Sequence, residues 1–91
     1  MKTTWHDFLT LCLKSKNTDE LEKLLDCFLT IDEKKDIAVR YLIIKYLLEN
    51  KVTQRDMSEK LNVSIAKITR GSNALKTIDE RLKEFLEKNT K

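Results

Sequence analysis

The chain has 91 residues, a formal net charge of +3, no proline and one glycine. That length suits a single domain spanning residues 1–91, and the abundance of leucine, lysine and glutamate predicts an all-α fold. The longest apolar run, Tyr41 to Leu48, is broken by Lys45 and preceded by Arg40, which excludes a membrane span.

In chain order, a first helix is expected over Thr4–Lys14, with Trp5, Phe8, Leu9, Cys12 and Leu13 on its apolar face. Trp5 is expected in the core or in a dimer contact. The opening stretch MKTTWHDFLTL has no small-residue cleavage site, so a cytoplasmic protein is expected. Cys12 and Cys27 lie among leucines and phenylalanines and read as buried thiols of a reducing compartment. A second helix starts at about Asp19. Thr30 and Glu33 then form a capping box that opens a long third helix ending near Asn50. Thr53 can cap a fourth helix ending at Leu61, and Ser64 a fifth ending near Ala74. Thr77 with Glu80 has the spacing of a second capping box, for a sixth helix.

The third helix poses a covering problem. From Ile37 to Leu48 it is apolar nearly all round except at Arg40 and Lys45, over a helix of roughly 28 Å at 1.5 Å per residue. So short a chain has few elements with which to cover it. A second copy is the economical solution, which predicts an obligate homodimer.

Charge is concentrated further on. Lys51, Arg55, Lys60, Lys67, Arg70 and Lys76 face only Asp56 and Glu59 in the same stretch, and the rest of the chain is slightly acidic. Such a local excess is the footprint of a polyanion-binding surface. In the same stretch Met57, Leu61, Val63 and Ile68 are spaced to form one apolar cluster where two short helices cross. Ser58 permits close approach, and Asn62 stands where a left-handed backbone is needed. This is a helix-turn-helix pattern over residues 54–74. Its second helix, opening at Ser64, presents Ile65, Ala66, Lys67 and Thr69 toward base edges, while Arg55 and Lys76 flank it for phosphate contact. The competing reading is a helical interaction module whose basic hairpin docks on an acidic protein.

The segments ITRGSNALK (68–76), LTIDEKKDIAVR (29–40) and VTQRDMSEKL (52–61) resemble the tryptophan repressor family, and the likeness runs from Trp5 to the last helix. The resemblance implies a six-helix intertwined homodimer with a helix-turn-helix reading head. Its implied function is L-tryptophan-activated repression through a palindromic double-stranded operator, with L-tryptophan as corepressor and no other cofactor. Arg40 and Arg70 match the arginines that sandwich the indole ring, and Arg70 can also pair with the carboxylate. Thr30 matches a hydroxyl near that carboxylate, a role it can share with capping. Backbone carbonyls around Leu25, Cys27 and Leu29 of the other subunit are expected to receive the ammonium. Ile44 fits an apolar pocket wall, and Gly71 leaves room beside the ligand. The expected DNA contacts are Gln54, Arg55, Ser64, Ile65, Ala66, Lys67, Thr69, Asn73 and Lys76.

Three positions depart from the family pattern. Ala74 stands where a serine lies close to the ligand's amino group, and a hydroxyl bond missing there is worth about 0.5–1.5 kcal/mol. Asn62 and Ser64 replace glycines. His6, the one histidine, has no partner base or nucleophile pattern. Asp19, Glu20, Glu22, Asp32, Glu33 and Asp36 lie mostly at helix starts, where acids suit the helix dipole and cap, with no metal site implied. Without a phosphate loop or a catalytic constellation, no enzyme is expected.

Overall fold

The computed structural model describes residues 2–91, which form six helices and no strand. These are α1 (Lys2–Leu13), α2 (Thr18–Asp26), α3 (Ile31–Glu49), α4 (Gln54–Leu61), α5 (Ile65–Thr77) and α6 (Glu80–Asn89). The described chain divides into two compact units, one ending at Lys34 and the other running from Lys35 to Lys91. No helix among the described residues is long and apolar enough to cross a membrane.

In the first unit the aromatic side chains make the main contacts. Trp5 stacks on Phe8 with ring centroids 5.5 Å apart, and Phe8 meets Phe28 edge-on at 5.1 Å. These are the separations at which aromatic pairs add about 0.5–1.5 kcal/mol beyond simple burial. Asn17 caps α2, its Oδ1 accepting from the Glu20 amide at 2.9 Å, while Glu20 accepts from the Lys16 amide. The cap thus stands two residues before the expected start at Asp19. The Thr30–Glu33 capping box forms as expected, with both reciprocal bonds made at 2.8 and 3.1 Å. Lys34 pairs with Asp26 at 2.6 Å, and that hydrogen bond, with the attraction behind it, holds its ammonium above the usual lysine range. One expectation fails here, and a second keeps only its dimer-contact alternative. Cys27 is exposed and Cys12 only half-buried, so neither is a buried thiol of the protomer, although both are free. Trp5 is 65 % exposed, which rules it out of the protomer's own core. The shortage of covering elements in so short a chain is the physical reason in both cases.

The second unit is built on three side chains, Ile43, Met57 and Ile68, the only buried hydrophobics among the described residues. They come from α3, α4 and α5, and Val39, Tyr46, Leu47, Val52, Leu61 and Val63 pack around them. The apolar cluster expected at the helix crossing therefore exists, with a residue of α3 at its centre. Lys60 lies 5.3 Å from the centroid of the Tyr46 ring, a cation–π contact that ties α4 to α3.

Two asparagines turn the chain. Asn50 and Asn62 are the described non-glycine residues with positive φ, at 54° and 55°. After α3, the Asn50 amide bonds the Tyr46 carbonyl at 3.0 Å, closing the helix with a single left-handed turn. After α4, the Asn62 amide bonds the Glu59 carbonyl and the Val63 amide bonds the Ser58 carbonyl, the paired bonds of a Schellman motif. The Ser58 hydroxyl donates to the Val63 carbonyl, so the small residue does more than leave space. Thr53 and Ser64 cap α4 and α5 as expected, accepting from the Asp56 and Lys67 amides.

The expected Thr77–Glu80 capping box is not formed. Helix α5 runs on to Thr77, whose hydroxyl donates back to the Ala74 carbonyl at 2.9 Å. Asp79 caps α6 instead, accepting from the Leu82 amide at 2.8 Å. A carboxylate is among the best caps and also favours the positive end of the helix, so it wins over a threonine two residues earlier.

The left-handed corner at Asn62 is testable. Asn62→Gly should leave urea-unfolding stability unchanged or slightly higher, because glycine adopts this backbone freely. Asn62→Val should lower it by about 1–2 kcal/mol, the cost of a left-handed conformation for an ordinary side chain.

Candidate functional site

A cleft of about 340 Å³ lies within the second unit, between one face of α3 and one face of α5. That volume falls in the range of about 300–1,000 Å³ common for small-molecule sites. Its walls follow helical spacing. Helix α3 supplies Asp36, Val39, Arg40, Ile43 and Ile44, and α5 supplies Lys67, Arg70, Gly71 and Ala74.

The two helices approach closely because of Gly71. A Cβ built on it would stand 2.9 Å from Cγ2 of Ile43, with Leu47 and Ile44 next at 3.5 and 3.6 Å. Ile43 is buried and β-branched, so it has little room to give way. Glycine here sets the helix separation, and with it the width of the cleft. The sequence expectation is that Gly71 leaves room beside a ligand; the room seen in this geometry is for α3.

Arg40 and Arg70 both line the cleft, one from each wall, and both are exposed. Among the described residues the one ion pair is Lys34 with Asp26, so neither guanidinium is neutralised by a carboxylate. Two unpaired planar cations beside the apolar Val39, Ile43 and Ile44 make a surface suited to an aromatic ring and an anionic group.

Of the nine residues expected at the ligand, the cleft brings together Arg40, Ile44, Arg70, Gly71 and Ala74. Leu25, Cys27, Leu29 and Thr30 lie at the α2–α3 connection of the first unit. There the Leu25 carbonyl already accepts from the amides of Phe28 and Leu29, at 2.9 and 2.8 Å. Both its lone pairs are therefore engaged. Four cleft residues are absent from the ligand contacts expected from the sequence, the apolar Val39 and Ile43 and the charged Asp36 and Lys67. Each of the charged two stands on the same helical face as an arginine, Asp36 one turn before Arg40 and Lys67 one turn before Arg70. That spacing is the signal that could have found them. Asp36 is also not one of the helix-start acids. Helix α3 begins at Ile31 with Asp32 and Glu33 in its first turn, and Asp36 lies beyond it.

The expected reading surface is accessible. Gln54, Arg55, Ser64, Ile65, Ala66, Lys67, Thr69, Asn73 and Lys76 are all exposed, while Met57 and Ile68 on the opposite faces are buried. Lys67 belongs to both surfaces, lining the cleft from the helix that carries the exposed polar face. Among the described residues no group of three or more histidine, cysteine or acidic side chains could hold a metal ion.

Comparisons with known proteins place the chain in a family. The family model described as Trp repressor protein matches residues 3–90. A Trp operon repressor homolog of Chlamydia trachomatis serovar D is 55% identical over 84 residues, covering 92% of this chain and 89% of the relative. The Trp operon repressor homolog of Chlamydia caviae is 50% identical over 82 residues, covering 90% of this chain and 81% of that one. A more distant relative of the same description, from Histophilus somni, is 35% identical over 82 residues, covering 90% and 77%. The chain belongs to the Trp repressor protein family, a family of DNA-binding regulators of transcription and not of enzymes.

Proposed function

We propose that the chain is an L-tryptophan-activated repressor that binds a palindromic operator as a homodimer in the cytoplasm. The observation that carries this reading is the pairing of Arg40 on α3 with Arg70 on α5 across one apolar cleft. An indole ring between the guanidinium planes gains cation–π contact on both faces, and the ligand's carboxylate pairs with Arg70. The Thr30 hydroxyl and the carbonyls of Cys27 and Leu29, contributed by the partner, complete the site. Those two carbonyls accept none of the backbone bonds made in the turn, unlike that of Leu25.

A ligand held this way couples chemistry to geometry. Helix α5 carries both one wall of the cleft and the exposed row of Ile65, Ala66, Lys67 and Thr69. Filling the cleft fixes the tilt of α5 against α3 about the close contact at Gly71. In a two-fold dimer that sets the separation of the two reading helices, which must match successive major grooves. Arg55 and Lys76 hold phosphates and position the head, while the first turns of α5 meet base edges.

Burial in the protomer supports the dimer. Among the described residues only Ile43, Met57 and Ile68 are fully buried hydrophobics, a small core for a chain of this length. Meanwhile Leu13 is 85 % exposed, Ile31 68 % and Phe85 59 %, and Phe28, Ile37 and Tyr41 are each at least half exposed. A second copy covering these surfaces supplies the missing core.

Three measurements test the reading. In calorimetric titration, Arg70→Leu should bind L-tryptophan at least about tenfold more weakly, since a charge-assisted bond of roughly 1.5–3 kcal/mol is removed. Its tryptophan-dependent operator binding should fall in parallel while the dimer stays folded. Unchanged affinity in a folded dimer would place the ligand elsewhere.

Dilution of the wild-type protein should lower its apparent unfolding midpoint, because folding and association are linked. A compact monomer with a concentration-independent midpoint would contradict the dimer.

With duplexes selected from random DNA, Arg55→Ala and Lys76→Ala should weaken all sequences alike. Each should flatten the slope of log affinity against log salt by about 0.9 for every phosphate no longer neutralised in a half-site. Docking on an acidic protein instead would leave duplex binding insensitive to both substitutions and to tryptophan.

A further inference from the structure

The cleft carries more charge than an indole sandwich needs. Besides Arg40 and Arg70 it is lined by Lys67 and by one acid, Asp36. Three cations alone would favour any organic anion of suitable shape. The single carboxylate among them breaks that symmetry.

Neither the helix dipole nor a salt bridge within the protomer accounts for Asp36. It lies beyond the first turn of α3, where the favourable field of the helix start has faded. Arg40 stands one turn on and Lys67 across the cleft, yet the only ion pair among the described residues is Lys34 with Asp26. Among the described residues no other side chain donates a hydrogen bond to Asp36 either. An unpaired anion at the wall of a cationic cleft is suited to a positively charged ligand group.

We infer that Asp36 is a specificity-determining residue that receives the α-ammonium of the ligand, so that the cleft selects a zwitterionic amino acid over the corresponding simple carboxylate. The inference rests on the proposed tryptophan site and refines it. Arg70 takes the carboxylate and Asp36 the ammonium, from opposite walls of the same cleft. The ammonium has three protons, so it can bond Asp36 and still reach the partner's carbonyls. This also bears on Ala74, which offers no hydroxyl to the amino group and sits in the same cleft. A carboxylate on α3 supplies from one wall what the side chain at position 74 on the other does not.

The test compares L-tryptophan with indole-3-propionate, which has the same ring and carboxylate and lacks the ammonium. Both are titrated by calorimetry at low salt into the folded wild-type protein and into Asp36→Asn and Asp36→Glu. Asp36→Asn keeps the shape of an exposed side chain and removes only its charge, so folding is preserved. The expected result is a loss of about fivefold in tryptophan affinity in Asp36→Asn, with indole-3-propionate binding equal to wild type or tighter. Asp36→Glu, which restores the charge, should recover most of the preference. The preference should also shrink as salt rises, since the group is exposed. If Asp36→Asn keeps the wild-type ratio of the two affinities, or loses both ligands equally, Asp36 does not read the ammonium, although the tryptophan site stands. Wild-type protein that binds neither compound would overturn the site itself and the role of Asp36 with it.

Discussion

The close approach of α5 to α3 at Gly71 is the constraint on which the second unit depends. With Ile43 Cγ2 only 2.9 Å from where a Cβ would stand, the helices meet almost backbone to side chain. That contact buries Ile43 and Ile68 together and leaves Met57 to complete the group from α4. It also fixes the gap in which Arg40 and Arg70 share a cleft. A methyl group at position 71 would gain helix propensity, about 1 kcal/mol over glycine, and lose more through overpacking against a residue that has no free volume. The one glycine in the chain serves proximity, because its φ is ordinary and its backbone freedom is not used.

Around that contact the turns are set by side-chain hydrogen bonds. Thr53 and Ser64 open α4 and α5, Asn62 closes α4 in a left-handed conformation, and Ser58 reaches over the turn to Val63. Each bond is local, so the hairpin's shape is specified within a dozen residues. The cleft is different, since it needs α3 and α5 in one register. The hairpin supplies a reading surface, and the long helix supplies the rigid wall against which that surface can be adjusted.

This division explains what is legible in the amino-acid sequence. Caps at Thr30, Thr53 and Ser64 can be named from it because each acts on an amide three residues away. The six helices and the apolar cluster of Met57, Leu61, Val63 and Ile68 follow from spacing in the same way. Thr77 misleads because two cap candidates stand close together, and the carboxylate of Asp79 takes the position. Burial at Cys27 and Trp5 cannot be judged from apolar neighbours in sequence, since many of those neighbours are themselves exposed in the protomer. Asp36 is grouped with acids lying mostly at helix starts, and Lys67 reads as a base contact, because their meeting at the cleft depends on the register of α3 against α5. The arginines stand out by residue type, and their charged neighbours one turn away do not.

The three-residue core of the second unit has a consequence for its motion. A body joined by Ile43, Met57 and Ile68, with a cation–π contact at Lys60 and Tyr46, sits at the low end of the local-stability scale. Helices α4 and α5 are therefore expected to open to solvent more readily than α3, with their amides exchanging before those of α3. Such a head gives up conformational entropy whenever it grips a rigid surface. A ligand seated against α5 removes part of that entropy in advance. On the proposed reading, the corepressor then acts as much by narrowing the head's distribution of poses as by moving its average position.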